Sequence, residues 1–326
     1  MVIDFLQITV DGLLDGGAYA IVGLGLSLTF GGLRRLNLAY GATAMLAAYL
    51  GAWLHGQMQA PVWLVALTVV ACAIVIGWYV ERLCFAGTRD EVAPSRGAPI
   101  AGVDGREVVA LASSFAIWMQ LEQVAVNLLP RHLNAFPSLA VNQNWFIGSG
   151  ASELMIRPDR LVLALLSVVL TLGLAHWLER SRVGLSWRAV ADQRTAAHLM
   201  GMPVPRLQMM GFAAACALSG IAAFAVLSVD GQVTPMFGMW VLFKGLVAAM
   251  LGGLGSVRGV LWGGLLLGVV EAHAQSLLGA QGREFVTYAL LFAVLVWPRR
   301  SLGERADHAT PGKPVGMAGG SGGARP

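Results

Sequence analysis

The chain has 326 residues, of which 56% are hydrophobic and 12% are charged. Soluble domains carry about 25% charged residues, so this composition leaves too little polar surface to cover a soluble fold. It disfavours a soluble enzyme, a disordered protein and a nucleic-acid-binding protein, and predicts a polytopic membrane protein. The formal net charge of +4 lies in short arginine clusters between apolar segments, where cations set membrane orientation.

Apolar segments long enough to cross a membrane recur along the chain. A helix needs about 20 apolar residues to cross the hydrocarbon core. The pattern predicts nine candidate spans, at residues 12–32, 36–54, 61–81, 108–129, 160–178, 206–229, 240–254, 259–279 and 285–298. Segment 240–254 is short, rich in glycine and contains Lys244, so a re-entrant segment is the alternative there. We therefore predict an all-α polytopic membrane protein with about eight or nine transmembrane helices.

Arginines predict the orientation of these spans. They cluster at residues 34–35, 82–106, 180–206 and 299–300, which we assign to the cytoplasmic side. The acidic N-terminus and the stretch 130–159 then lie outside, and the C-terminus lies inside. Residues 1–300 are predicted to form the transmembrane domain. The Gly-, Pro- and Ser-rich tail 301–326 is predicted to be a disordered cytoplasmic segment.

No motif for catalysis, metal binding or nucleotide binding is found. The phosphate-binding Gly-x4-Gly-Lys-Ser/Thr pattern and the His-Glu-x-x-His pattern are both missing, and no nucleophile is paired with a base. Cys72, Cys84 and Cys216 lie in or beside apolar runs, without metal-ligand spacing, and are interpreted as small apolar side chains. We expect neither catalytic residues nor a metal or cofactor on this chain.

Charged residues inside the predicted spans are candidates for the translocation path, because burying a charge in a bilayer is costly. Glu122 lies in the fourth span, Lys244 in segment 240–254 and Glu271 in the span that follows. The alternative for each is a charge that packs against a neighbouring helix or reaches the interface. A proton relay would need several such groups in register, and the sequence does not show them.

The basic loop 180–206 carries the strongest local signal. Residues 186–200 are predicted to form one helix that Gly201 and Pro203 terminate. Small residues recur on it, including Ala196 and Ala197, so the helix could insert as a rigid knob into a groove of another protein. A helix lying on lipid headgroups is the alternative, which its small side chains disfavour.

Six sequence segments resemble a known family. Thr195–Gly201 is similar to the Glu-Ala-Ala-x-x-x-Gly loop of bacterial ABC importer permeases, with Thr195 in place of Glu. Five others resemble the branched-chain amino acid (LivH-type) permeases in particular: Arg188–Asp192, Leu36–Gly41, Glu81–Arg82, Phe243–Ser256 and Gly263–Ala272. The matches run in family order along nearly the whole chain. Tyr40, Glu122 and Trp118 depart from the family pattern on spans that could line the path, which leaves the substrate open.

The resemblance implies a permease subunit of an ATP-driven importer in the bacterial inner membrane. The implied partners are a second permease subunit of the LivM type, two ABC ATPase subunits that bind ATP and Mg, a periplasmic substrate-binding protein and the lipid bilayer, with no nucleic acid. The implied ATPase-coupling residues are Arg188, Asp192, Thr195, Ala196, Ala197 and Gly201. The expected path residues are Asn37, Tyr40, Glu122, Lys244 and Glu271.

The implied substrate is a branched-chain amino acid, with urea or short amides as the alternative that related importers suggest. Because a binding protein would supply specificity, we expect a mostly apolar path with a few hydrogen-bonding groups rather than a charged pocket. A secondary transporter should show ion sites and inverted repeats, which the sequence lacks. A channel or a structural membrane subunit would not need the coupling loop.

Overall fold

The computed structural model describes residues 2–33, 37–85, 105–128, 135–138, 145–147 and 154–296. The helices in these ranges are α1 (Val2–Leu33), α2 (Ala39–Met58), α3 (Val62–Val80), α4 (Gly105–Leu128), α5 (Pro158–Arg180), α6 (Arg182–Asp192), α7 (Arg194–Leu199), α8 (Val204–Asp230), α9 (Phe237–Gly252) and α10 (Val257–Val296). A π-helical turn, Glu81–Phe85, continues α3. Strands β1 (Trp145–Ile147) and β2 (Leu154–Ile156) pair antiparallel, with Phe146 opposite Met155.

The helices confirm an all-α polytopic membrane protein. Six of the described helices are long and apolar enough to cross a membrane: α1, α3, α4, α5, α8 and α10. The short α9 has 16 residues, or about 24 Å at 1.5 Å per residue, and Lys244 lies within it without interrupting it. The predicted tail 301–326 lies outside the described residues, as does most of the loop between α3 and α4.

Central and peripheral helices differ in burial. In the most apolar 18-residue stretch of each helix, 83% of the residues of α1 and 72% of those of α8 are buried. The corresponding share is 22–28% in α3, α4 and α5. The first half of α2 is also buried, from Ala39 to Tyr49. Apolar side chains such as Leu165 and Val169 on α5 project outward, as expected of helices that face lipid. The core is therefore built around α1, α2 and α8.

Helices α1 and α10 cross at a glycine contact. A Cβ added at Gly16 would lie 2.7 Å from the Cα of Leu265, and one added at Gly268 would lie 2.5 Å from the Cα of Gly16. Real Cβ atoms do not approach a backbone so closely, so these positions hold the two helices at van der Waals contact. The glycines in this part of α1 therefore serve helix packing, as small residues do in membranes.

Helix α10 is a hairpin that reverses at Gly279. Gly279 has φ 78° and ψ −176°, a conformation essentially confined to glycine. The side chains of Glu271 and Thr287 are hydrogen-bonded, and so are those of Gln275 and Arg283. In each pair the two residues are equally far from Gly279 along the chain, as in a hairpin that turns there. A straight helix would instead separate Glu271 from Thr287 by about 24 Å. The two predicted spans 259–279 and 285–298 are thus confirmed as separate antiparallel helices.

The bundle has two distinct ends. The coupling end carries α6 and α7, between the end of α5 and the start of α8, together with the start of α10. There, Arg258 of α10 makes two hydrogen bonds of 3.0 and 3.1 Å to Glu179 of α5. About 33 Å of helix separates the start of α10 from Gly279, which lies at the opposite end. The arginine clusters predict that the coupling end faces the cytoplasm.

Candidate functional site

Lys244 and Glu271, two of the predicted path residues, form a buried ion pair. Each residue is 1% exposed. The Lys244 Nζ donates a hydrogen bond to Oε1 of Glu271, and a second one, of 3.2 Å, to the hydroxyl of Thr287. The structure thus agrees with the alternative in which each charge packs against a neighbouring helix and finds a partner there. Neither side chain reaches the interface, and their role in a translocation path stays a prediction.

Three side chains that the sequence did not single out complete this buried ion network. Tyr19 of α1 donates a 2.7 Å hydrogen bond to Oε2 of Glu271, and Arg283 donates a 3.0 Å bond from Nε to the same oxygen. Arg283 also bonds the Tyr19 hydroxyl, and Thr287 bonds Oε1 of Glu271. The network therefore joins α1, α9 and both halves of α10.

The network is strong because it combines burial with several charge-assisted hydrogen bonds. Glu271 accepts from two cations, Lys244 and Arg283, and from two hydroxyl groups. The Lys244 Nζ also lies 3.5 Å from Glu284 and 5.5 Å from the centre of the Tyr19 ring. Since a buried carboxylate is tolerated only when it is paired, Glu271 needs these partners to remain ionised.

A polar cavity of about 440 Å³ lies beside the network, towards the Gly279 end. Its charged and hydroxyl-bearing lining is Asp11, Asp15, Tyr19, Arg160, Glu271, Ser276 and Arg283. Residues 8, 11, 15 and 19 of α1 follow helical spacing along its wall. Sequence reasoning did not find this charged cavity, and helical spacing on α1 was the signal that could have found it.

The remaining path candidates lie elsewhere. Asn37 and Tyr40 are buried at the start of α2. The Oδ1 of Asn37 accepts a 3.0 Å hydrogen bond from the backbone N–H of Ala39, and the Tyr40 hydroxyl donates a 3.2 Å bond to the carbonyl of Val22. Glu122 is half-buried on α4, which packs against α2. The structure therefore brings together only two of the five predicted path residues.

The coupling loop contains two helices rather than the one predicted over residues 186–200. α6 begins after Ser181, whose hydroxyl accepts a 2.9 Å hydrogen bond from the N–H of Gly184. Gln193, with φ −142° and ψ 95°, breaks the helix before α7 starts. The predicted stop is confirmed, since Gly201 has φ 78° and its N–H bonds the carbonyl of His198.

Exposure divides the predicted coupling residues into two groups. Ala197 is 1% exposed and packs with Val190, Val204 and Leu207, so it belongs to the interior of the loop. Arg188, Asp192 and Gly201 are exposed, and Ala196 is half-buried. Thr195 belongs to α7 by its backbone, and its side chain lies outside those the structure describes.

Two large apolar side chains are exposed where α7 ends. Leu199 is 82% exposed and Met200 is 69% exposed, next to the Gly201 turn. Sequence reasoning missed both residues, because it looked for small side chains. Two large apolar side chains on a short turn at the end of a bundle are typical of a surface that another protein covers.

Trp187 anchors the coupling loop to the transmembrane helices. It lies on α6, is 9% exposed, and packs in a cluster with Leu24 of α1 and Ala215 of α8. A Cβ added at Gly211 of α8 would overlap Nε1 of the Trp187 ring, so the indole rests directly on that helix. A displacement of α6 would therefore move side chains that contact α1 and α8.

Within the described residues, no group of three or more His, Cys, Asp or Glu side chains could hold a metal ion. Cys84 and Cys216 are buried and Cys72 is half-buried, and all three are free thiols. The functional features of the described chain are thus an ion network with a polar cavity and, at the other end, a loop with an exposed apolar tip.

Residues 8–296 match the family described as "Branched-chain amino acid transport system / permease component". The chain is 27% identical over 309 residues to the high-affinity branched-chain amino acid transport system permease protein LivH of Escherichia coli, covering 92% of this chain and 96% of that protein. It is 27% identical to the corresponding protein BraD of Pseudomonas aeruginosa, covering 90% and 94%. The permease protein LivM of Escherichia coli is 26% identical, over 84% of this chain and 63% of LivM.

Proposed function

This chain belongs to the branched-chain amino acid transport system permease component family, and on that premise we propose that it is the transmembrane permease subunit of an ATP-driven importer of branched-chain amino acids in the bacterial inner membrane. A periplasmic binding protein delivers the amino acid at the Gly279 end. ATP and Mg are bound by two ATPase subunits that dock at the coupling end, and this chain binds no cofactor.

The observation that carries this proposal is the coupling loop. An importer that holds no nucleotide site of its own needs a rigid surface through which a partner can act. The apolar tip at Leu199 and Met200 supplies that surface, and Trp187 connects the loop to α1 and α8. A secondary transporter would have no use for such a surface.

The similarity to LivM supports a pore formed with a second permease subunit of that type. Peripheral helices with exposed apolar residues, such as Leu67 of α3, leave area for contact with lipid and with another membrane subunit. In this proposal the second subunit contacts the bundle laterally, while the two ends remain open to the binding protein and the ATPases.

Reconstitution tests this function. The chain would be placed in proteoliposomes with the second permease and the two ATPases, and uptake of radiolabelled L-leucine measured with binding protein outside and ATP inside. We expect uptake only when ATP and binding protein are both present. Uptake driven by a proton gradient alone would contradict the proposal, and uptake of urea or a short amide in place of L-leucine would correct the substrate.

A further inference from the structure

The polar cavity at the Gly279 end has an unusual charge arrangement. Carboxylates and guanidinium groups share its wall, with Asp11 and Asp15 on α1 and Arg160 at the start of α5. Arg160 lies 3.3 Å from Asp15 across the cavity. Both side chains are about one third exposed, 27% for Arg160 and 31% for Asp15, so water and small solutes can reach them.

Arg160 is only partly used by the protein. Its Nη1 is the donor to Asp15, over a long contact of 3.5 Å to Oδ2. Its Nε is buried and has no hydrogen-bond partner among the described residues. The exposed part of the guanidinium keeps donor capacity beyond its long contact with Asp15. An incoming carboxylate that accepts from it would form a charge-assisted hydrogen bond.

The acidic side of the cavity has an excess of charge. Asp15 faces Arg160, while Asp11 accepts a 3.0 Å hydrogen bond from the neutral amide of Gln7. Asp230, at the end of α8 and outside the cavity lining, interacts electrostatically with Asp15 and with the guanidinium groups of Arg160, Arg283 and Arg157. An ammonium group placed between Asp11 and Asp15 would reduce this repulsion.

We propose that this cavity is a receiving site for a zwitterionic amino acid, with the α-ammonium group between Asp11 and Asp15 and the α-carboxylate on Arg160. The inference rests on the proposed function and assigns a site to it. A zwitterion inserted between Asp15 and Arg160 replaces one ion pair by two without changing the net charge. A lone anion would face the carboxylates, and a lone cation would face the guanidinium groups.

Size and lining agree with this assignment. Small-molecule sites in proteins occupy about 300–1,000 Å³, and the cavity measures about 440 Å³. Its apolar wall consists of Ile8, Gly268 and Ala272, which leaves room for an aliphatic side chain. Solvent exposure of Asp15 and Arg160 makes the affinity weak, as required of a site that must release its occupant.

Ligand analogues combined with variants test the site. The full chain in lipid nanodiscs would be titrated with L-leucine, with isocaproate (leucine without the ammonium group) and with isoamylamine (leucine without the carboxylate), by saturation-transfer NMR. Wild-type chain should bind L-leucine about tenfold or more tightly than either analogue, since each lacks one charged contact. Equal affinities for the three compounds would overturn the proposal.

The variants assign each charge to its partner. Asp15→Asn should weaken the preference for L-leucine over isocaproate, because Asp11 alone then faces the ammonium group, and should keep the preference over isoamylamine. Arg160→Gln should abolish the preference for L-leucine over isoamylamine and keep the preference over isocaproate. Glu179→Gln, an equivalent change at the coupling end, should alter neither. Asp11→Asn replaces Asp15→Asn if the latter is not monodisperse in gel filtration. Unchanged preferences in the variants would refute the site.

Failure of this site and failure of the proposed function give different results. ATP-dependent uptake of L-leucine that Asp15→Asn and Arg160→Gln leave unchanged would refute the site and leave the function intact. A site that shows the variant pattern with another zwitterionic amino acid, and not with L-leucine, would support the site and overturn the proposed substrate.

Discussion

Glu271→Gln removes the carboxylate on which the buried ion network depends. The substitution is nearly isosteric, so it changes the charge without opening a cavity. Lys244 would keep the hydroxyl of Thr287, the neutral amide oxygen of the new side chain, and the carboxylate of Glu284, which lies 3.5 Å away and is 46% exposed. It would lose its buried charged partner. Leaving one charge of a buried pair without its partner costs about 3–5 kcal/mol.

Lys244→Met should be milder. Glu271 would retain Arg283 at 3.0 Å and Tyr19 at 2.7 Å, so the loss is about 1.5–3 kcal/mol, the range for hydrogen bonds to a charged group. The double variant should cost less than the two single variants added together, by about 0.5–3 kcal/mol, because both act on the same contact.

The assay is reversible unfolding of the chain in mixed micelles with increasing dodecyl sulfate, followed by tryptophan fluorescence. Glu179→Gln is the matched control, since it removes an exposed carboxylate whose pair with Arg258 should contribute less than about 1 kcal/mol. Surface substitutions change the free energy of unfolding by up to about 0.5 kcal/mol. If the free energies of unfolding of Glu271→Gln and Glu179→Gln differed by no more than that, the network would not hold the helices together and the reasoning would be refuted.

Three further predictions concern the hairpin, the coupling loop and the orientation. Gly279→Ala should destabilise the chain by about 1–3 kcal/mol in the same assay, because the backbone conformation of Gly279 excludes a Cβ. The control Gly173→Ala should be neutral or stabilising, because a Cβ at this position of α5 meets open space. Leu199→Glu should abolish co-purification with the ATPases while the chain stays monodisperse. Ala197→Trp should instead disrupt the loop itself, because Ala197 is buried. If the Leu199→Glu variant still bound the ATPases, Leu199 would not belong to the docking surface. In a background without native cysteines, Ser276→Cys should react with an impermeant maleimide added outside intact cells. Leu199→Cys should react only after the membrane is permeabilised. The opposite labelling pattern would reverse the orientation.

Hydropathy alone was enough to predict the helices. Each crossing requires a long apolar segment, so the positions of the spans follow from composition, and every predicted span coincides with an observed helix. The hairpin in α10 was also visible, because Arg283 and Glu284 separate two apolar runs. The glycine in the left-handed region then supplies the reversal at Gly279.

The pairing of charges could not be predicted from one sequence. Lys244 and Glu271 are 27 residues apart and Tyr19 is 252 residues from Glu271, and no periodicity links positions at such separations. Sequence reasoning also did not predict which side chains of the coupling loop are exposed, because this too depends on contacts between distant segments. Packing against α8 decides that Ala197 points inward and Leu199 outward, and that tertiary contact is not encoded in the local pattern.

Membrane insertion of α9 is constrained by the ion network. α9 leaves the ribosome before α10 and, at 16 residues, is short for a crossing that needs about 20. A lysine at the centre of an inserted helix costs about 2.5–3.5 kcal/mol, and the partner of Lys244 has not yet emerged from the ribosome at that point. α9 should therefore remain at the translocon until Glu271 emerges, so that the last three helices enter the lipid as one unit.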